Sequence, residues 1–234
     1  MGLLINNDLI WISIPKCASS SIEDALLNSN LKIKKHWQHD IPPKGHLHIK
    51  INELYEYFGK KETICITRDP LERWISSLKT IWLSITFRGY TPVINWEDID
   101  NDFLYNTFDK TFINNLHFPN TTDRCNFVII KDYKNTSADD KKGYNFINNI
   151  MLSQQFWKNN EKCAYEFSIN ELYKVEEFLY KKYKENIKIP NIDPNYIFKN
   201  NDIDKKNKII IDDELKNWYW KSFEKCFEKN NKII

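Results

Sequence analysis

The chain has 234 residues, 41% of them hydrophobic and 15% aromatic, which suits one well-packed domain and falls short of two full-sized ones. Its 34 basic residues are offset by 32 acidic ones to a formal charge of +2. That balance excludes the broad basic field that nucleic-acid binding needs, so any anion site must be local.

Five cysteines (Cys17, Cys65, Cys125, Cys163 and Cys226) are odd in number and widely spaced, with no CxxC pair. They predict free thiols in a reducing compartment. Residues Met1 to Asp8 are too few and too soon polar for a signal peptide, and no apolar run approaches the ~18 residues of a membrane span. The expectation is a cytoplasmic protein without a membrane span. Asn6 stands where a myristoylation motif starting at Gly2 needs Ser or Thr.

In chain order, Asp8 to Ile14 is a nearly continuous apolar run ended by Pro15, the pattern of a strand buried on both faces. A helical pattern follows from Ser21 to Leu27, with Ile22, Ala25 and Leu26 at helical spacing. Glu62 to Thr67 is a second buried strand, and Leu71 to Trp82 a second helix carrying Leu71, Trp74, Ile75 and Leu78. Asn126 to Ile130 reads as a third strand. Later helices are expected at about Lys142 to Asn159, Ile169 to Asn186 and Asp212 to Lys229, with a long loop at 187–208. Repetition of strand, loop and helix predicts an α/β fold with a central parallel sheet flanked by helices. The helix starts agree. Ser20-x-x-Glu23 reads as a capping box, and Asp69-Pro70-x-Glu72 combines a cap with proline at the first helical position.

Both strand-to-helix loops have anion-binding chemistry. A helix N-terminus offers backbone N–H groups and the positive end of the helix dipole. The first loop, Pro15-Lys16-Cys17-Ala18-Ser19-Ser20-Ser21, adds an ammonium, three hydroxyls and small side chains. It is not a Walker loop, because GxxxxGK[ST] is absent. The second, Thr67-Arg68-Asp69-Pro70-Leu71-Glu72-Arg73-Trp74-Ile75-Ser76, puts Arg68 at a strand end and Ser76 about two turns into the helix. The chain holds only four arginines in a lysine-rich background, and two of them lie in this segment. Where lysine is the default cation, arginine marks a need for its planar fork.

The order I-P-K-C-A-S-S-S-I followed by T-R-D-P-L-E-R-W-I-S-S resembles the two signature segments of sulfotransferases that use 3′-phosphoadenosine 5′-phosphosulfate (PAPS). It is nearest the Golgi-type carbohydrate sulfotransferases and their bacterial relatives, and covers Ile10 to Leu27 and Glu62 to Leu78. The resemblance implies a P-loop-like, three-layer fold in a single domain spanning 1–234. It implies that Lys16 contacts the 5′-phosphosulfate, that Cys17, Ala18, Ser19, Ser20 and Ser21 hold the same end, and that Arg68 and Ser76 hold the 3′-phosphate. The product would be 3′-phosphoadenosine 5′-phosphate (PAP). Ala18 stands where many relatives have glycine.

Sulfuryl transfer to a hydroxyl needs in-line geometry, electrostatic stabilisation and a base for the acceptor proton. Four histidines (His36, His39, His46 and His48) lie between the two loops, and imidazole suits that task near neutrality. Lys44-Gly45-His46-Leu47-His48 is similar to a stretch that carries the base in several carbohydrate sulfotransferases, which points to His46 or, two residues on, His48. No HExxH-type frame organises the histidines as metal ligands, and no metal is expected. The aromatic-rich stretch 83–125 is a candidate acceptor-binding insertion, with a hydrophobic satellite core as its alternative. The expected acceptor is a carbohydrate hydroxyl. Two other classes remain open at this point: a nucleotide or nucleoside kinase, against which the missing Walker loop speaks, and a silent module that binds a phosphorylated ligand.

Overall fold

The computed structural model describes residues 2–36, 49–87, 91–108, 154–190 and 206–224. The chain divides into two compact units, one formed by Met1–Arg73 with Gln154–Pro194, the other by Trp74–Ser153 with Asn195–Ile234.

The first unit holds a five-stranded sheet in the order β3-β1-β2-β4-β5. The strands are β1 (Gly2–Ile5), β2 (Leu9–Ile12), β3 (Ile33–His36), β4 (Glu62–Thr67) and β5 (Tyr165–Ser168). The expected strands at Asp8 to Ile14 and Glu62 to Thr67 are β2 and β4, paired in parallel from Leu9 opposite Glu62 to Ile12 opposite Cys65. β5 adds to β4 in parallel. The sheet is mixed rather than purely parallel, because β1 runs antiparallel to both β2 and β3. The reason is local: Asn6 and Asn7 both adopt left-handed backbone (φ 47° and 64°), and the Asp8 N–H returns to the Ile5 carbonyl at 3.1 Å. This is the twist-matched hairpin turn that asparagine tolerates.

Among the described residues of this unit, four helices accompany the sheet. α1 (Ser19–Leu27) buries Ile22, Ala25 and Leu26, and α2 (Ile51–Phe58) buries Ile51 and Leu54. The short α5 (Gln154–Lys158) falls at the end of the stretch from Lys142 to Asn159 where a helix is expected, of which 142–153 lie outside the described residues. α6 (Leu172–Tyr183), preceded by a 3-10 turn at Ile169–Glu171, buries Val175 and Leu179. Every residue of β1 and β2 is buried, and with these helix faces they build one hydrophobic core. Burying each large apolar side chain contributes about 1.5–3 kcal/mol.

α3 (Pro70–Phe87) starts in the first unit, and the boundary between the units falls within it after Arg73. Proline takes the first helical position and the Asp69 carboxylate accepts the Glu72 N–H at 3.0 Å, as the sequence predicts. The second unit contains the rest of α3, a 3-10 turn at Trp96–Asp98, α4 (Asn101–Thr107) and α7 (Asp213–Tyr219), which continues as a π-helical turn, Trp220–Glu224. Caps are clear here too, with Asp100 accepting from Phe103 and Asp212 from Leu215. Trp74 packs against Phe108 (centroids 5.1 Å apart) and Tyr219 (5.9 Å), and Trp82 against Phe103. Trp82, Trp96 and Phe108 are buried, so within 83–125 and just before it these aromatics serve as core. Residues 109–125 of the candidate insertion lie outside the described residues, as does the strand expected at Asn126 to Ile130. The described ends of the 187–208 segment carry neither helix nor strand. Among the described residues no helix is long and apolar enough to cross a membrane.

Candidate anion-binding site

β2 and β4 are neighbours and parallel, so their carboxyl ends lie side by side at one edge of the sheet. Each strand then delivers the chain to a helix N-terminus, α1 at Ser19 and α3 at Pro70. Two helix N-termini with their positive dipole ends are thus set at the place where open α/β sheets bind ligands.

The first loop is built for close approach. Lys16 (φ 62°) and Ala18 (φ 56°) both adopt left-handed backbone, whereas Cys17 between them does not. Such alternation turns successive N–H groups toward one concavity, the geometry of an anion nest. Each non-glycine residue held this way costs roughly 1–2 kcal/mol, and strain of this kind concentrates at binding sites. Ala18 is therefore at a position that favours glycine. It is also the N-cap of α1 and makes no side-chain cap bond, which corrects the capping role expected of Ser20. Ser20 lies inside the helix and is exposed, while Ser21 is buried. The Cys17 N–H is committed to the Ile14 carbonyl at 3.3 Å. The N–H groups of Ala18, Ser19 and Ser20 meet no acceptor among the described residues.

Gln154, at the start of α5, ties the two loops together. Its side-chain oxygen accepts the Arg68 N–H at 2.9 Å, and its amide nitrogen donates to the Arg68 carbonyl at 2.7 Å. The Cys17 thiol contacts the same oxygen at 3.6 Å. Gln154 is 8% exposed, so this clamp works in a dry setting where each bond counts for more. The Arg68 Nε reaches Glu72 Oε2 at 3.3 Å in an i,i+4 pair. Arg73 is completely buried.

No family model, curated protein or solved structure matches the chain. What can be said of the site therefore rests on its own geometry and charge.

Burial pushes the Cys17 thiol up to about 11 from its ordinary 9.0, and the opposing pull comes from Arg73, Arg68 and Lys16 in that order. Positive charges from both loops thus act on the Cys17 thiol. The same balance keeps the thiol protonated at neutral pH, so Cys17 is a packing residue and not a nucleophile. A thiol raised in the folded state stabilises the fold below pH 9, where both states are protonated. That contribution is lost as pH rises from 9 through 11, because the unfolded chain ionises first. Cys17→Ser is expected to flatten the pH dependence of urea unfolding between pH 9 and 11 by about 2–3 kcal/mol. Parallel curves for the two proteins would refute this.

Sequence reasoning singled out Lys16, the serines and Arg68, and β2 and β4 bring these segments together. Ser76 lies two turns into α3. Gln154 was missed, and nothing in its local pattern marks it. Arg73 carried a signal in the rarity of arginine, but its burial was not foreseen. Of the histidines, His36 ends the edge strand β3. It stacks on Tyr57 with centroids 3.9 Å apart, and burial holds its pKa below the usual value. His39, His46 and His48 lie outside the described residues.

Proposed function

We propose that the chain is a PAPS-dependent sulfotransferase with a P-loop-like nucleotide site formed by the loops after β2 and β4. The observation that carries this reading is the pairing of those loops on adjacent parallel strands, joined through Gln154 and charged by Lys16, Arg68 and Arg73. A bisphosphorylated nucleotide needs two anion sites at a set separation, and two motifs side by side suit it better than the single glycine loop of a kinase. In this reading the N–H groups of Ala18 to Ser20 and the serine hydroxyls hold the 5′-phosphosulfate. Lys16 neutralises the bridging oxygen as the sulfur–oxygen bond breaks. Arg68 and Ser76 hold the 3′-phosphate, and His46 or His48 takes the proton of an acceptor hydroxyl, most simply of a carbohydrate. The transferred group moves in line, with charge stabilised by positioned donors rather than by covalent catalysis.

Calorimetric titration with PAP, set against ATP with Mg²⁺, tests the donor site. PAP is expected to bind in the micromolar range, about −8 kcal/mol, and Lys16→Ala and Arg68→Ala are each expected to weaken it about tenfold or more. Equal or tighter binding of ATP with Mg²⁺ would overturn the reading in favour of a kinase.

A further inference from the structure

A second cluster of chemically active side chains lies where β4 and the chain leading into β5 meet. Cys65, in β4, is 0% exposed, and Cys163, two residues before β5, is 2% exposed. Both are free thiols. Glu166 is paired with Cys65 in the β4–β5 register. The two sulfurs and a Glu166 carboxylate oxygen all lie within 4.8 Å of one another.

Two buried thiols alone are ordinary core packing. The third donor and its supports take the cluster further. Lys158, 5% exposed, donates to both Glu166 oxygens at 3.1 Å, and the Cys163 N–H donates to Glu166 Oε1 at 3.0 Å. Such bonds orient a ligating carboxylate from behind, and a carboxylate has about four lone-pair sites, enough to accept them and still bind a cation. Two sulfurs sharing a tetrahedral ion with metal–sulfur bonds of about 2.3 Å sit roughly 3.8 Å apart, and the two sulfurs here lie within 4.8 Å of each other. Charge also balances. Two thiolates, one carboxylate, the Lys158 ammonium and a divalent cation sum to zero, so the buried sulfurs carry no uncompensated charge, and Glu166 stands on the exposed side of the cluster.

We propose that Cys65, Cys163 and Glu166 form a binding site for one thiophilic divalent cation, of the zinc type, with a fourth coordination position left open. Binding displaces the two thiol protons to solvent as two metal–sulfur bonds form. The site is separate from the anion loops and is assigned no part in sulfuryl transfer.

The test is titration of the reduced, chelator-treated full chain with Co²⁺. One equivalent is expected to produce a sulfur-to-cobalt charge-transfer band, which Zn²⁺ then displaces. Cys65→Ser and Cys163→Ser should each weaken binding about 100-fold, and Glu166→Gln about tenfold, whereas Cys226→Ser should leave it unchanged. Because the serine variants could fail to fold, X-ray absorption of the zinc-loaded wild-type chain provides an independent readout, with two sulfur scatterers expected at about 2.3 Å. Absence of the band at millimolar Co²⁺, its survival in both serine variants, or a zinc shell of nitrogen and oxygen alone would overturn the proposal.

Discussion

His46→Ala is expected to lower the rate of sulfuryl transfer by about 10²–10⁴-fold while leaving PAP affinity within about twofold. The acceptor hydroxyl must lose its proton as the new sulfur–oxygen bond forms, and a positioned imidazole contributes about that factor. In the proposed reading donor binding depends on other groups, the backbone and cations of the two loops, so a true base should separate the two readouts. The pH profile gives an independent check. An imidazole base makes kcat/KM fall on the acid side, near pH 6.5, and that limb should vanish in the variant. If His48→Ala shows this behaviour and His46→Ala does not, the base is His48. If neither variant loses activity, no histidine of this segment is the base. A wild-type chain that binds PAP yet transfers nothing would turn the protein into a silent nucleotide-binding module.

The second large effect is expected at Gln154. Leucine has nearly the same volume but none of its hydrogen bonds, so Gln154→Leu leaves the Arg68 N–H and carbonyl without their partner in a buried setting. Each such loss costs about 1–3 kcal/mol, so a stability loss of about 3 kcal/mol is expected in urea unfolding. Because the same side chain also contacts Cys17, the spacing of the two loops should loosen, and PAP affinity should fall about tenfold. Gln154→Glu tests the second role. It keeps an acceptor for the Arg68 N–H but sets a second carboxylate oxygen against the Arg68 carbonyl and adds a negative charge beside the proposed anion site, so affinity should fall further than in the leucine variant. Unchanged stability in Gln154→Leu would show that the clamp contributes nothing to the fold.

The local elements were readable because their signals are local. Continuous apolar runs marked β2 and β4, helical spacing marked α1 and α3, and Asp69-Pro70 marked the start of α3. The capping box at Ser20 misled because the left-handed backbone at Ala18 starts α1 earlier than its serines suggest. β5 carries a short alternation, Tyr165 and Phe167 against Glu166 and Ser168, too brief to stand out before its pairing with β4 is known. β1 and β3 passed unnoticed for a similar reason: four residues each, one read as a polar-flanked terminus and the other rich in lysine.

Where the two anion loops stand was legible from sequence, since each follows a buried strand and precedes a helix, and that order is a property of neighbouring residues. How they work together was not. That β2 and β4 are adjacent and parallel, that Arg73 is buried, and that Gln154 joins Cys17 to Arg68 across 137 and 86 residues of chain are decided by packing. The same holds for Cys65, Cys163 and Glu166, which no spacing rule connects and which only the pairing of β4 with β5 brings to one point. Local chemistry specifies which groups are available. The free energy of burying a shared core specifies which of them meet.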